Sequence, residues 1–464
     1  AGKSTIGLAT MGYCRPGCRI SSGSILFDGI EVNSIPKQQK QKLRGTRIAY
    51  VAQSAAAAFN PAYRLIRQYA ETAVRNGLMN YTTATKNAKS MYKRLLLPDP
   101  ENIGYRFPHQ VSGGQLQRAM VAMAISCKPD LIVFDEPTTA LDVTTQIEVL
   151  YAIKEISREL NTAALYITHD LAVVVQLADR IMVLRYGEMV EEGSTKRLLE
   201  SPQEEYTRQL MAVRTYRKQP IEISENEPPI LEIKGLTASY HKNSPNVLED
   251  INLTVATGRT IAIVGESGSG KTTLAKAIIG LLPLQKGRIF FKGNELHGTL
   301  KFRKREDLRH LQMVYQMPDI ALNPKHRIDR ILGRPLKFFF GMDRSQREDR
   351  IKELLNMVEL PESYITRLPD QLSGGEKQRI CIARALAAEP EMIICDEVTS
   401  ALDQLVAEEI LKLLQRLQDK LNVTYLFITH DLATVKAIAD VVVVMLRGRI
   451  VEQGPKETVL KHPN

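Results

Sequence analysis

Gly265-Glu266-Ser267-Gly268-Ser269-Gly270-Lys271-Thr272 is the stretch on which the reading of this chain turns. It fits the pattern G-x-x-x-x-G-K-[S/T]. The apolar run 260–264 predicts a strand before it and the pattern of 272–282 predicts a helix after it. Glycines here let successive backbone N–H groups turn inward, and the start of the helix adds its partial positive charge, so the loop forms a cradle for phosphate oxygens. Lys271 is placed to reach the β- and γ-phosphates of ATP, and the Thr272 hydroxyl to ligate Mg²⁺. Gly265, Gly268, Ser269, Gly270 and Thr273 complete the expected binding loop.

Working outward, Met392-Ile393-Ile394-Cys395-Asp396-Glu397 puts two acids at the end of an apolar run. Ionised carboxylates beside a buried strand are costly without a cation, which Mg²⁺ would supply. Asp396 suits the metal's hydration shell. Glu397 suits a general base activating the attacking water, an effect of about 10²–10⁴-fold. Residues 424–428 predict another buried strand, and the charged stretch 323–372 predicts a helical insertion.

The same order of motifs occurs twice. Asp135-Glu136, Ser112-Gly113-Gly114 and His169-Asp170 precede Asp396-Glu397, Ser373-Gly374-Gly375 and His430-Asp431 by 261 residues in every case. Upstream the offset drifts, to 263 between Gln53 and Gln316 and 268 between Lys3 and Lys271, which puts the length differences in the N-terminal parts of the copies, where loops absorb them. This period is too long for a solenoid and implies two duplicated domains. The expected division is a first domain over 1–213, a linker over 214–229 carrying Pro220, Pro228 and Pro229 among acidic residues, and a second domain over 230–464. Ala1-Gly2-Lys3-Ser4-Thr5 aligns with Ser269-Gly270-Lys271-Thr272-Thr273, inside the phosphate loop. The chain is therefore expected to be a fragment cut at both ends, with weak nucleotide binding at its first loop.

Composition bounds the remaining possibilities. The 464 residues are 44% hydrophobic and 25% charged, ordinary for globular domains with cores of their own. No run approaches the ~18 apolar residues of a membrane span, so action at a membrane would need other polypeptides to do the spanning. The net charge of +10 fits an anionic ligand, an acidic lipid surface, a nucleic acid, or simple solubility. The basic runs 37–47 and 301–309 read as solvated helix faces. Cys127, Cys381 and Cys395 sit in apolar contexts and read as buried thiols. Cys14 and Cys18 flank Arg15-Pro16-Gly17, but no second pair completes a metal site. A reducing cytoplasm is the expected compartment.

Val111-Ser112-Gly113-Gly114-Gln115 and Leu372-Ser373-Gly374-Gly375-Glu376, each followed by a helical pattern, resemble the signature motif of the ABC ATPases. The resemblance covers nearly all of the chain. It implies an α/β fold of two tandem P-loop cassettes, each a RecA-like core with a helical subdomain, paired within one polypeptide. Gln53 and Gln316 resemble the glutamine linking Mg²⁺ to that subdomain. Ala140-Leu141-Asp142 and Ala401-Leu402-Asp403 match the D-loop. His169 and His430 match the switch histidine. Tyr240 resembles the aromatic that stacks on adenine, and by itself reads equally as core. The family's arrangement implies one composite site from Lys3, Ser4, Gln53, Asp135, Glu136 and His169 with Ser373 and Gly375. The other would use Lys271, Thr272, Gln316, Asp396, Glu397 and His430 with Ser112 and Gly114. Gly2, Thr5, Gly113 and Gly374 belong to the same loops. The implied catalytic residues are Glu136, His169, Glu397 and His430. The implied metal-side residues are Ser4, Gln53, Asp135, Thr272, Gln316 and Asp396. Two departures, Glu376 for the usual signature glutamine and Val398 where the first copy has Pro137, imply tuning of activity.

Asn60-Pro61, Asn323-Pro324, the stretch Tyr206-Thr207-Arg208-Gln209-Leu210 and Phe107-Pro108-His109-Gln110 narrow the resemblance to ATPases of bacterial oligopeptide, dipeptide and nickel importers. The fused pair is similar to glutathione-type and antimicrobial-peptide importers. The implied partners are integral-membrane permease subunits and an extracytoplasmic solute-binding protein, and the implied location is the cytoplasmic face of the bacterial inner membrane, held peripherally. The alternative is a soluble tandem ABC protein acting on ribosomes. The short, locally acidic linker and the lack of a basic stripe with stacking aromatics count against it, so no nucleic-acid partner is expected.

Overall fold

Thr260-Ile261-Ala262-Ile263-Val264 shows no polar–apolar alternation, the pattern of a strand covered on both faces. In the computed structural model all five residues are buried and both strand edges are paired. The structure describes residues 2–137, 143–168, 171–212, 218, 228–241, 244–266, 268–400 and 402–461. They fall into two units, Ala1–Met211 and Ala212–Asn464.

In the second unit Thr260–Val264 lies inside a six-stranded sheet. The order is Leu311–Val314, Met392–Asp396, Thr424–Ile428, Thr260–Val264, Val441–Leu446 and Arg449–Pro455. All pairings are parallel except the last. Met392–Asp396 and Thr424–Ile428 are also buried at every position, as short apolar runs between helices should be. The phosphate loop follows the central strand where the strand order reverses, the usual crevice for ligands in open α/β sheets. An antiparallel sheet of Asn294–Glu295, Lys286–Phe291, Pro229–Ala238 and Leu248–Ala256 shares a core with the helix Lys271–Ile278. That helix ends four residues before the expected 282. Residues 323–372 form the expected helical insertion, with Ile328–Phe340 and Arg344–Met357 packing on Gly374–Leu386.

The first unit repeats part of this plan. Ile48–Val51, Leu131–Asp135 and Ala163–Ile167 form a parallel three-stranded sheet, and Arg180–Arg185 pairs antiparallel with Glu188–Ser194 in a separate hairpin. Among the described residues no strand of this unit joins the sheet to the hairpin as Thr260–Val264 does in the second. The exposure follows: Ala163 and Ala164 are exposed, whereas their counterparts Thr424 and Tyr425 are buried. Helix Lys3–Thr10 packs on the sheet through Gly7, where a Cβ would stand 2.6 Å from Ile167 Cδ1 and 3.0 Å from Val133 Cγ1. Beyond the hairpin, the Gln203 and Glu204 amides donate to Glu191 at 3.0 and 3.1 Å, leading into helix Glu205–Ala212.

Several local expectations change. The basic runs give the short helices Lys37–Leu43 and Arg305–His310 without a buried residue, but Arg303, within the second run, is buried and donates to the His297 carbonyl at 2.9 Å. Cys381 and Cys395 are buried, but Cys127 is half-buried, because it follows the last turn of helix Gly113–Ile125 rather than facing the core. Most of 214–229 lies outside the described residues, yet Lys218 is buried. Its ammonium donates to Asp440 Oδ2 at 2.8 Å and Gln418 Oε1 at 3.1 Å. Asp440 Oδ2 also accepts from the Thr260 amide at 2.9 Å, which ties Lys218 to the base of the central strand.

This pair generates a stability prediction. Asp440→Ala leaves the Lys218 ammonium without its counter-charge and the Thr260 amide without its acceptor, and is expected to destabilise the second unit by about 3–5 kcal/mol. Breaking the exposed Arg180–Glu192 pair should cost about 1 kcal/mol or less. Urea unfolding followed by far-UV circular dichroism would compare the two; equal midpoints would contradict the assignment.

Candidate nucleotide-binding and hydrolysis sites

The phosphate loop of the second unit is shaped by close backbone approach. Gly265 has φ 152°, and a Cβ there would stand 2.2 Å from the Met445 carbonyl oxygen. Gly268 and Gly270 also have positive φ, 83° and 103°, and Gly270 starts the helix Lys271–Ile278. The buried Lys271 ammonium donates to the loop's own carbonyls, Gly265 at 2.7 Å and Glu266 at 2.8 Å. Ser269 Oγ is buried with no hydrogen-bond partner among the described residues, leaving a hydroxyl donor at the cradle. Ser267 lies outside the described residues. Thr273 Oγ1 lies 3.1 Å from the hydroxyl of Tyr240, whose side chain is half exposed beside the loop. In the first unit Gly2, φ 83°, starts the corresponding helix; Lys3 Nζ donates to the Thr168 carbonyl at 3.3 Å, and Thr5 is exposed.

Each loop hydroxyl reaches the first acid of the strand-end pair. Ser4 Oγ donates to Asp135 Oδ1 at 2.9 Å, and Thr272 Oγ1 to Asp396 Oδ1 at 3.1 Å. Burial pushes the Asp396 carboxyl above its ordinary range, with the neighbouring Glu397 charge adding to the effect. A carboxyl whose ionised form is disfavoured in this way is one a divalent cation stabilises. A hydroxyl and a carboxylate oxygen side by side fit the hard, oxygen-loving Mg²⁺, which binds through one or two carboxylates plus substrate phosphates. Among the described residues no group of three or more His, Cys, Asp or Glu could hold a metal alone, Cys14 and Cys18 included.

The second acid is held in a rare conformation. Glu136 and Glu397 have φ 49° and 48°, in the left-handed region that non-glycine residues seldom adopt. Their amides still donate to Ile167 and Ile428 carbonyls, both at 2.9 Å, so the chain turns sharply one residue past the strand and the carboxylates leave the sheet. Gln53 Nε2 donates to Glu136 Oε2 at 2.8 Å, and Gln316 Nε2 to Glu397 Oε2 at 2.7 Å. The structure thus joins the two glutamines, read from sequence as metal-side residues, to the glutamates. His430 Nδ1 lies 3.1 Å from Glu397 Oε1. Burial raises the Glu397 carboxyl, but the His430 bond and charge, with Lys271, outweigh it and leave the group below its ordinary value of 4.5. The same bond raises His430 above 6.5. His169 and Asp142 lie outside the described residues, so the matching contacts of the first unit are not placed.

The signature turns both begin helices. Ser112 and Ser373 are the N-caps of Gly113–Ile125 and Gly374–Leu386, so Gly113, Gly114, Gly374 and Gly375 form the first turns and point their amides outward. A Cβ on Gly375 would meet Val406 Cγ1 at 2.5 Å. Asp403 caps the helix Gln404–Leu421 through the Val406 amide at 3.2 Å, while Ala401 lies outside the described residues. Sequence reading missed Tyr50, whose hydroxyl donates to Asp135 Oδ2 at 2.6 Å. The signal was available by comparing copies: the strand register places Met313 at the same position of the second unit.

Two tests follow. Gly265→Ala should abolish nucleotide binding to the second unit in equilibrium dialysis, because the added methyl overlaps a main-chain oxygen. The imidazole of His430 should titrate above 6.5, and Glu397→Gln should bring it back toward that value, as read by nuclear magnetic resonance. Its raised pKa contributes stability that is complete below pH 6.5 and lost as pH rises through the folded value. The Glu397 contribution is complete above 4.5 and lost as pH falls through its depressed value.

Comparison with known proteins agrees with this geometry. The ABC transporter family model matches residues 1–139 and 248–400. The chain is 36% identical over 505 residues to the glutathione import ATP-binding protein GsiA of Salmonella choleraesuis (strain SC-B67), covering 100% of this chain and 81% of that protein. It is 35% identical over 504 residues to the GsiA protein of Pectobacterium atrosepticum, with the same coverage. Among solved structures, cbiO1 from Clostridium perfringens, part of the ABC transporter complex cbiONQ, is similar at a TM-score of 0.46 and 28% identity, over 51% of this chain and 92% of that one. A post-hydrolysis dimer of the cassette MJ0796 bound to ADP and Pi aligns at a TM-score of 0.43 and 28% identity, over 49% of this chain and 98% of that one. The ribosome-acting alternative draws no support from these relatives. Matched by one family model in both of its units and by a relative along its whole length, this chain belongs to the ABC transporter family of ATP-binding, ATP-hydrolysing proteins.

Proposed function

We propose that the protein energises a bacterial importer of glutathione or similar peptide-like solutes, with integral-membrane permease subunits as its spanning partners and an extracytoplasmic solute-binding protein supplying the cargo. The support is whole-length similarity to glutathione import ATP-binding proteins. No helix among the described residues is long and apolar enough to cross a membrane, which fits a peripheral place on the cytoplasmic face of the inner membrane.

The carrying observation is the duplicated strand end, where Gln53 holds Glu136 and Gln316 holds Glu397. In the proposed cycle ATP enters each phosphate loop and Lys271 exchanges its loop carbonyls for phosphate oxygens. In the first unit Lys3 exchanges the Thr168 carbonyl for them. Ser4 with Asp135, and Thr272 with Asp396, would hold Mg²⁺, which would supply neutralisation of charge on the phosphoryl group. Tyr240 covers the adenine. Glu136 and Glu397 accept the proton of the attacking water, and His169 and His430 contact the γ-phosphate and steady the glutamate. Ser112 with Gly114, and Ser373 with Gly375, offer helix-start amides to a phosphate group. Both units keep the glutamate and the histidine that hydrolysis requires.

Glu136→Gln with Glu397→Gln should retain ATP binding and lower steady-state hydrolysis by at least about 10²-fold. Unchanged turnover would remove both glutamates from the chemistry. Uptake of labelled glutathione by cells lacking the protein, against cells restored with it, tests the substrate class.

A further inference from the structure

The sheet of the first unit aims at its metal-side aspartate a hydroxyl that the second unit does not have. Tyr50 pairs with Val133 across the parallel strands, and Asp135, two residues beyond Val133, shares that face. The Tyr50 hydroxyl donates to Asp135 Oδ2 at 2.6 Å and Ser4 Oγ donates to Oδ1 at 2.9 Å, so both oxygens of a buried carboxylate are held. In the second unit Met313 pairs with Ile394, and Asp396 shares that face in the same way. Thr272 supplies a hydroxyl to Asp396 Oδ1, but the Met313 thioether has none to donate. The exchange extends to the helix after the phosphate loop. A Cβ on Gly7 would stand 3.7 Å from Tyr50 Cε2, whereas the second unit has Ala275 at the matching helix position, in one core with Met313. Charges near the two acids also differ in place. Arg15 acts on the Tyr50 hydroxyl, while Lys271 and Lys276 act on Asp396, with Leu8 at the first unit's counterpart of Lys276. Each unit thus has its loop lysine and one further cation near the acid or the acid's partner, and the hydroxyl is what distinguishes them.

The last torsion of an aspartate is broad, so a carboxylate held at one oxygen still rotates, and a donor on the other oxygen stops it. Partners of this kind orient the carboxylates that ligate metals, and their loss typically costs about 10- to 100-fold in metal affinity. We propose that Tyr50 is a positioning residue for the divalent cation of the first unit: its hydroxyl fixes Asp135 so that Oδ1 and the Ser4 hydroxyl stay side by side. The first unit therefore owes part of its cation affinity to a side chain for which the second unit has no equivalent. This rests on the reading of Ser4 and Asp135 as metal-side residues under Proposed function. Tyr50→Phe removes the hydroxyl and keeps the ring that packs by Gly7.

The test uses the whole chain carrying Gly265→Ala, so that nucleotide is retained by the first unit alone, and follows labelled ADP by equilibrium dialysis across a Mn²⁺ titration and in EDTA. Tyr50→Phe should raise the Mn²⁺ concentration for half-maximal ADP retention by about 10-fold or more and leave retention in EDTA unchanged. A merely structural role for Tyr50 would weaken both. Asp135→Asn, which removes the carboxylate, should abolish the Mn²⁺ dependence. If Asp135→Asn abolishes it while Tyr50→Phe matches the parent, responds to less Mn²⁺, or loses ADP equally in EDTA, the proposal is overturned and the metal-side reading of Ser4 and Asp135 stands. If the parent shows no Mn²⁺-dependent retention, or Asp135→Asn behaves as the parent does, that reading falls and the proposal with it.

Discussion

Two carboxylates at the end of a fully buried strand set the terms for the structure around them. An ionised acid taken from water without partners costs several kcal/mol, so every group within reach of Asp396 and Glu397 is recruited. Thr272 comes from the phosphate-loop helix, Gln316 from the end of the edge strand, His430 from the end of the neighbouring strand. These three elements are distant in sequence and meet only because the parallel sheet brings strand ends to one edge. The fold and the acid pair thus specify each other: the sheet delivers the partners, and the partners make a charged strand end tolerable.

Much of this was legible beforehand because the buried strands admit few alternatives. Thr260–Val264 and Thr424–Ile428 fall where the apolar runs placed them, and the acids follow the strand Met392–Asp396 as the motif required. The phosphate loop carries its geometry in its glycines, since only glycine clears the Met445 carbonyl at position 265. What stayed hidden depends on side-chain direction. The left-handed backbone of Glu136 and Glu397 leaves no compositional trace, and it turns the carboxylates toward the glutamines. Lys218 falls within the stretch read as a linker, yet a buried aspartate at the base of the central strand captures it.

The copies also show how duplication permits divergence. Their frames agree residue for residue over the strand-end acids and the signature helices, yet the positions beside those groups differ. Tyr50 stands where the second copy has Met313, and Tyr364 where the first has Ile103. Each tyrosine places a hydroxyl on a carboxylate, on Asp135 in one unit and Glu376 in the other. Neither exchange alters a motif letter in the phosphate loop or acid pair, so a reading confined to motifs passes over both.

The Lys271 ammonium, closed onto two carbonyls of its own loop, bears on how product leaves. A phosphate group entering must displace two charge–dipole contacts, and one departing hands them back. The net grip is therefore smaller than the tally of contacts to the bound anion, and the cradle keeps its form between rounds instead of collapsing. A catalyst that must discharge ADP many times is served by a cationic latch with a resting position, which trades some tightness for repeated use.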